Sequence, residues 1–565
     1  MMQLRKHQRD VAGVVDEILA GAPIRNIIVR ACPGSGKSLL PVIMGRLITA
    51  GLADALCWIC PRQSLQQQGE EAFVDPTFRE MLGHKLTVRS STNDVNPLRG
   101  HAGFTTTYQA LSVDADKTAQ AEFERRRYIL VLDEWHHLSS EADRLWTDSI
   151  KPLVDRAEYI LFMTGTLQRA NGEQIAFIEY DDAGRPILEN SGDSRFIDYP
   201  RSVALAEKAI IPLRFHLHDG HAIWENKDGH EISARLAKVK RKDAGSAIYT
   251  ALSTEYAREL IGLAFDHWKA HRRSVPNAKL LVVTAGLKQA QEALKFLKDR
   301  WHTAEIATSH ESEACKKTIK KFRTGDLSIC VSIAVPYEGL DVKAISHIAC
   351  LTHIRSEPWI EQCISRAVRI DPAAGPYETQ VGYIFAPDDP LFRNIVNRIQ
   401  AEQIASARVA KEKEDAGLLQ LELFKKERPE GESNPYKITP LSSELTGRRE
   451  LALGGNGKAP APAVPVQMTF PKTPSEIEQE LRESIEQHVR LYEFNNRIHP
   501  PGKLNREILA HFQKPRPEMT IRELEAVQRH IRRAYPLNYI RGTGRKRVPT
   551  KAQPWTPQAQ KAAAW

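Results

Sequence analysis

No apolar run in the 565 residues approaches the ~20 that a membrane-spanning helix needs. The amino terminus carries charged residues where a secretory signal would place its apolar region. A spanning or exported protein is therefore not expected, and a cytoplasmic one is. Cysteine is also scarce: the seven, at 32, 57, 60, 315, 330, 350 and 363, fall mostly in apolar strand-like runs, as reduced thiols of a cytosolic enzyme would. Cys57 and Cys60 do form a C-x-x-C. Within the apolar run from Ala55 to Cys60, however, they project to opposite faces of a strand, and no second pair exists to complete four ligands, so neither a zinc nor a redox role is expected. Acids are missing from the last stretch of the chain. Between Pro536 and Trp565 there are six cations (Arg541, Arg545, Lys546, Arg547, Lys551 and Lys561), interleaved with Tyr539, Trp555 and Trp565. That composition suits phosphate backbones and single strands. The formal charge of +9 points the same way, and the length allows about three to four domains.

What is present is more specific. The octet Ala31-Cys32-Pro33-Gly34-Ser35-Gly36-Lys37-Ser38 follows the strand-like run 26–30 and precedes an apolar helix. In such a turn, Pro33-Gly34-Ser35-Gly36, the backbone N–H groups that follow Pro33 cradle a β-phosphate, Lys37 reaches the β and γ oxygens, and the Ser38 hydroxyl ligates Mg²⁺. A second buried strand, 128–132, ends in Asp133-Glu134-Trp135-His136. Asp133 there is suited to hold Mg²⁺, and Glu134 to polarise the water that attacks the γ-phosphate. A third, 159–163, runs into Thr164-Gly165-Thr166, whose hydroxyls, with His136, can relay the state of the nucleotide.

These elements, in this order, resemble the DExH group of superfamily 2 helicases and translocases, in particular type III restriction motor subunits, RecG-like and phage-encoded DEAD/DEAH-box helicases. The likeness covers about residues 1–390. Asp-Glu-Trp-His stands for Asp-Glu-x-His, and Thr-Gly-Thr for the usual Ser/Thr-Ala-Thr. Residues 335–342, with Gly339 and Asp341, resemble motif V. The segment Gln362-Cys363-Ile364-Ser365-Arg366-Ala367-Val368-Arg369 resembles motif VI, with Ser365 in place of its glycine. Residues 4–8 resemble the Q-motif, whose glutamine, here Gln8, reads adenine. The resemblance implies two tandem RecA-like lobes, each a parallel sheet flanked by helices, with ATP and Mg²⁺ as cofactors. On a helix, Gln362, Arg366 and Arg369 fall at i, i+4 and i+7, so all three project from one face that can close on the γ-phosphate. Arginine suits that task because its planar fork keeps its charge.

Pattern along the chain divides it into a first lobe (1–172), a β-rich connection (173–240) and a second lobe (241–390). Strands are expected at 26–31, 55–60, 128–132, 159–163, 279–284, 328–333, 346–351 and 380–385. Helices are expected near 36–50, 62–73, 250–270, 287–299 and 358–369. A helical extension (391–430), a flexible Gly/Pro/Ala-rich linker (431–474), a small helical domain (475–540, opened by a Ser475/Glu478 capping box) and a basic tail (541–565) follow. Arg62, Thr106, Thr107 and Tyr108 on the first lobe, and Thr284 and His310 on the second, are the candidate contacts to a nucleic-acid backbone. The expected activity is an ATP-dependent DNA helicase or translocase. Its alternatives are an RNA helicase, the motor subunit of a restriction or phage-defence complex with a partner's nuclease, and an ATP-gated binding module; the expected partners are DNA or RNA and a nuclease or a replication or recombination protein. No nuclease constellation stands in the chain itself, since His488, Asn496 and His499 lack the strand context of an HNH nuclease.

Overall fold

The computed structural model describes residues 3–114, 117–138, 144–167, 174–182, 186–188, 190–301, 303–307, 313–333, 340, 342–412, 439–451 and 471–537. Seven strands form the first sheet: β1 (Asn26–Ala31), β2 (Ala55–Cys60), β3 (Val88–Ser90), β4 (Gly103–Thr107), β5 (Tyr128–Asp133), β6 (Tyr159–Thr164) and β7 (Ser194–Tyr199). Their spatial order is β3-β4-β2-β5-β6-β1-β7. Every pairing is parallel, so all the carboxyl ends share one edge. The runs in β2 and β5 are buried at every position. Alternate residues enter cores on opposite faces, Leu56 and Trp58 on one side and Cys57 and Ile59 on the other, which is why these strands read as unbroken apolar segments.

The second sheet contains β8 (Leu213–Glu225), β9 (Glu231–Arg235), β10 (Lys279–Thr284), β11 (Ala304–Ala307), β12 (Ile329–Ser332), β13 (Ile345–Leu351), β14 (Gly382–Pro387) and β15 (Thr439–Leu451). It is ordered β11-β12-β10-β13-β14-β8-β15, with β9 also on β8. From β11 to β8 the strands are parallel, and β9 and β15 are antiparallel to β8. The two parallel-sheet α/β domains have the tandem RecA-like arrangement. One contiguous apolar core joins them, running from Val29 and Ile43 of the first to Ile364 and Val368 of the second.

Four expectations need correction. The connection 173–240 is not a separate β unit: it holds a Tyr180–Pro186 bridge, but β7 completes the first sheet beside β1 and β8 joins the second beside β14. Each satisfies a row of backbone groups that an open sheet edge would leave unpaired. The linker likewise contains β15, which pairs with β8 from Thr439 opposite Glu225 to Leu451 opposite Phe215. Composition marked this stretch as a linker because pairing partners more than 200 positions away leave no local trace. Finally, the expected helix 358–369 ends at Ile364 and passes into a 3-10 turn, Ser365–Ala367, so Gln362, Arg366 and Arg369 do not share one regular helix. The expected helix 250–270 is two, Arg241–Leu252 and Glu255–His271.

The small helical domain comprises Pro474–Asn495, Lys503–Phe512 and Ile521–Ala534 around Ile485, Val489, Leu504, Ile508, Leu524, Val527 and Ile531. Its first helix is capped by Thr473 with Glu476, not by Ser475 with Glu478. Both displaced residues serve the first lobe instead. Ser475 donates through N and Oγ to Glu70, on the helix Gln63–Val74. The carboxylate of Glu478, 1% exposed, accepts from Arg89 Nε (3.1 Å), Arg99 Nη1 (3.0 Å) and Arg482 Nη2 (2.8 Å). Arg89 and Arg99 each turn their other side to Asp94, at 2.8 and 2.7 Å. Among the described residues no helix is long and apolar enough to cross a membrane.

Candidate active site

The site grows from the carboxyl ends of β1, β5 and β6. After β1 the chain turns through Gly34 (φ 82°) and Gly36 (φ 84°), left-handed conformations that favour glycine. Lys37 then opens a short 3-10 turn, Lys37–Leu39, that feeds the helix Leu40–Thr49. The Ser35 hydroxyl is buried and has no hydrogen-bond partner among the described residues. An orphaned donor buried inside a glycine turn is what an anion cradle requires, so these residues fit a nucleotide phosphate.

Lys37 Nζ donates to Glu134 Oε1 at 2.6 Å. Glu134 sits at φ 46°, a left-handed position rare for a side chain of this size, directly after β5. Its other oxygen accepts from Gly165 N at 3.2 Å and lies 3.3 Å from His136 Nδ1. Thr164 Oγ1 gives its proton to the Thr166 carbonyl (2.6 Å) and accepts from Thr166 N (3.1 Å). The His136 Nδ1 2.8 Å away must therefore be the protonated nitrogen in that contact. The Thr-Gly-Thr turn and the Asp-Glu-Trp-His turn are thus wired together through His136.

Electrostatics separates the two carboxylates. Burial, reinforced by the neighbouring Glu134, pushes Asp133 up to about 7. Burial opposes ionisation of Glu134 as well, but Lys37 and His136 overcome it and hold Glu134 well below the usual carboxylate range. A hard cation coordinated by Asp133 and Ser38 would relieve the raised Asp133, and two oxygen donors are the right chemistry for Mg²⁺.

The second lobe closes on this loop. A Cβ on Gly34 would lie 2.8 Å from Val368 Cγ2 and 3.7 Å from the Ser365 carbonyl, so the phosphate loop abuts the motif VI segment directly. Arg366 Nη1 and Arg369 Nη1 both donate to the Leu340 carbonyl, at 3.4 and 2.9 Å. Departure from the helix brings the two guanidinium groups to one acceptor. Gln362 is buried, with no partner for Nε2 among the described residues. Gly339, Asp341 and His310 lie outside the described residues.

Gln8 touches the loop from the other side. Its Nε2 donates to the Gly36 carbonyl at 3.0 Å and its Oε1 accepts from Arg5 N at 2.9 Å. Arg5 itself donates to the Gly34 carbonyl (3.4 Å), a contact that sequence reading missed because arginine at a helix cap carries no motif.

The expected polymer contacts fare unevenly. Tyr108 is fully buried, and its hydroxyl donates to the Asp133 carbonyl at 2.8 Å. Thr107 caps the helix that follows, accepting from Ala110 N. Thr106 is 2% exposed, and Thr284 bonds to the carbonyls of Gly286 and Ser332. These four side chains are occupied internally, because residues at the end of a central strand face neighbouring strands and the next helix. Arg62, half-buried at the start of the helix Gln63–Val74, is the reachable one. That helix also carries a contact missed from sequence: Glu71 accepts a two-pronged bond from Arg323 of the second lobe, at 2.6 and 2.7 Å.

Fold and loop together define a P-loop NTPase of two tandem lobes. Residues 1–169 match the family model of the type III restriction enzyme, res subunit, and residues 261–371 that of the helicase conserved C-terminal domain. These matches, in this order on the two lobes, support a superfamily 2 helicase resembling restriction motor subunits. An uncharacterised protein of Mycobacterium leprae is 24% identical over 392 residues, covering 68% of this chain and 62% of that protein. The chain thus spans less than two thirds of this relative. Among solved structures, Mycobacterium smegmatis helicase Lhr bound to ssDNA and AMP-PNP is similar at a TM-score of 0.46 and 14% identity, covering 71% of this chain and 48% of that one. A fragment of a putative HsdR subunit of a type I restriction enzyme from Vibrio vulnificus is similar at 0.43 and 14%, covering 69% and 65%.

Proposed function

We propose that the chain is an ATP-driven motor that moves along or unwinds nucleic acid, DNA in the first instance, with hydrolysis at the junction of the two lobes. The observation that carries this reading is the close approach of Gly34 to Ser365 and Val368, which sets the phosphate loop of one lobe against the arginine-bearing turn of the other. Lys37 and the loop amides bind the phosphates, and Ser38 and Asp133 hold Mg²⁺. Bound Mg²⁺-ATP supplies the γ-phosphoryl group and the charge that draws the arginines in. Glu134, kept ionised, orients and deprotonates the attacking water. Arg366 and Arg369 stabilise charge developing on the phosphoryl oxygens, and His136 with Thr164 and Thr166 passes the change to the rest of the first lobe. A group that contacts both lobes favours their closure, and its loss favours opening, so the cycle is a population shift driven by differential contacts.

The test is the ATPase rate measured side by side with single-stranded DNA, duplex DNA, branched DNA and RNA. Stimulation by a DNA form above RNA is expected. Greater stimulation by RNA makes RNA the track, and no stimulation by any polymer overturns the motor reading. The motor of a restriction or defence complex remains the second reading, favoured by the match over residues 1–169. It requires a nuclease from a partner.

A further inference from the structure

The helical domain is docked, not merely tethered, and the place where it docks is informative. Along the carboxyl edge of the first sheet, the nucleotide elements follow β1, β6 and β5, and Arg62 follows β2. Beyond β4 the row ends at β3, whose last residues Arg89 and Ser90 hold Glu478 and Ser475. Thr520, the cap of the domain's last helix, lies against Gly100 in the same β3–β4 connection. The first and last helices therefore both start at the first lobe. They run alongside each other, since Gln528 bonds to Ser484 and Tyr535 packs on Tyr492. Ile521–Ala534 thus projects from the lobe by ~20 Å at 1.5 Å per residue.

This last helix buries Leu524, Val527 and Ile531. Arg522, Arg529 and Arg533, at i, i+7 and i+11, form a row on the opposite, exposed face, with Arg532 beside them. Among the described residues Arg522, Arg532 and Arg533 make no ion pair, and Arg529 has only Glu525 at 3.9 Å. The domain's acids are concentrated elsewhere, on Pro474–Asn495, which carries Glu476, Glu478, Glu480, Glu483, Glu486 and Glu493. With Glu523 bonded to Lys514, the exposed face of the last helix carries four arginines against Glu525, an excess of one sign that a surface serving only solubility does not need.

We infer that the row Arg522, Arg529 and Arg533 is a backbone-binding surface for the nucleic acid that flanks the segment gripped by the lobes, held at the β3 end of the carboxyl edge by Glu478. The inference rests on the motor reading for its partner. Arginine forks along a rigid helix meet successive phosphates without reading sequence.

The experiment compares the full chain with two charge-matched triple variants. One is Arg522→Gln/Arg529→Gln/Arg533→Gln. The other is Arg125→Gln/Arg127→Gln/Arg156→Gln, exposed cations that precede β5 and β6 at the opposite edge of the sheet. Affinities for single-stranded and duplex DNA are measured over a series of salt concentrations. Removing the row should flatten the slope of log affinity against log salt by about 2 to 3, at roughly 0.7 to 0.9 per phosphate contact. The control variant should keep the slope, and kcat at saturating DNA should stay unchanged in both. Loss on single strands alone or on duplex alone identifies the flanking form and supports the surface. An unchanged slope in the row variant, or equal flattening in both, overturns it. Failure of every polymer to stimulate the unsubstituted enzyme would instead strike the motor reading, a separately visible result.

Discussion

Two buried ionic clusters sit at opposite ends of the same sheet edge, and they are built differently. At the β1/β5/β6 end, Lys37 and Glu134 pair inside a loop that also holds an unpartnered Ser35 hydroxyl, a strained Glu134 backbone and an Asp133 whose ionisation is opposed by burial. At the β3 end, Arg89 and Arg99 lie between Asp94 and Glu478, each with charge on two sides. The first cluster is incomplete and can exchange partners. The second has every charge matched by an opposite one, although Arg99 Nε and Arg482 Nε have no partner among the described residues, and it can only be broken. Local strain and a carboxylate whose ionisation is opposed mark a place meant to receive something, whereas arginines held between carboxylates on two sides mark a joint.

The sharpest way to test this contrast is to remove the exchangeable pair. Lys37→Ala should abolish nucleotide binding, while Glu134→Gln should leave ATP bound but unhydrolysed. Equilibrium binding of a fluorescent ATP analogue beside steady-state turnover distinguishes them, and equal loss of affinity in both variants would contradict their separate roles. Next in size, Arg366→Ala or Arg369→Ala should lower kcat by about 10³ or more with little change in nucleotide affinity. Unchanged turnover in both removes them from the site.

Breaking the joint should act on stability instead. Glu478→Ala strips two buried guanidinium groups of a partner and should cost about 3–5 kcal/mol. Thermal unfolding and limited proteolysis at 471–473 would show a lowered midpoint and release of the helical domain, with hydrolysis by the lobes retained. A truncation after Pro474 leaves the same two arginines beside Asp94 alone, so the shortened core should be less stable than the full chain, besides binding DNA more weakly. An unaltered midpoint would mean that the cluster does not hold the domain. A smaller effect is expected between the lobes, where Arg323→Ala should reduce the closed population by about fivefold, close to 1 kcal/mol for a pair whose side chains are 22% and 18% exposed. Inter-lobe fluorescence transfer reads that change directly.

The smallest effect concerns Asp133. Its folded-state value of about 7 exceeds the ordinary 3.8, so the folded protein binds the extra proton between those values. Its contribution to stability is therefore complete below about 4 and lost as pH rises through about 7. Asp133→Asn should flatten the decline in thermal midpoint between roughly pH 5 and 8. A decline of the same steepness in both proteins would show that Asp133 is not the group responsible.

How much of this was legible in the chain depends on the range over which each feature is determined. Strands β1, β2, β5, β6, β10, β12, β13 and β14 and the loop 31–38 were readable because apolar continuity, glycine and lysine act within a dozen residues. The short strands β3 and β11 are weaker signals, and β15 has no apolar signature. Its partner strand alone makes it a strand. The sequence by itself determined that a glycine turn with Lys37, and the carboxylates Asp133 and Glu134, stand at the ends of buried strands, since apolar runs fix those strands locally. Tertiary structure alone decided that Arg366 and Arg369 converge on Leu340, that Gly34 meets Val368, and that Glu478 leaves its helix cap for Arg89 and Arg99. Each of these joins segments separated by tens to hundreds of residues, and the free energy that fixes them, burial of charge with a partner, exists only once the partner has arrived.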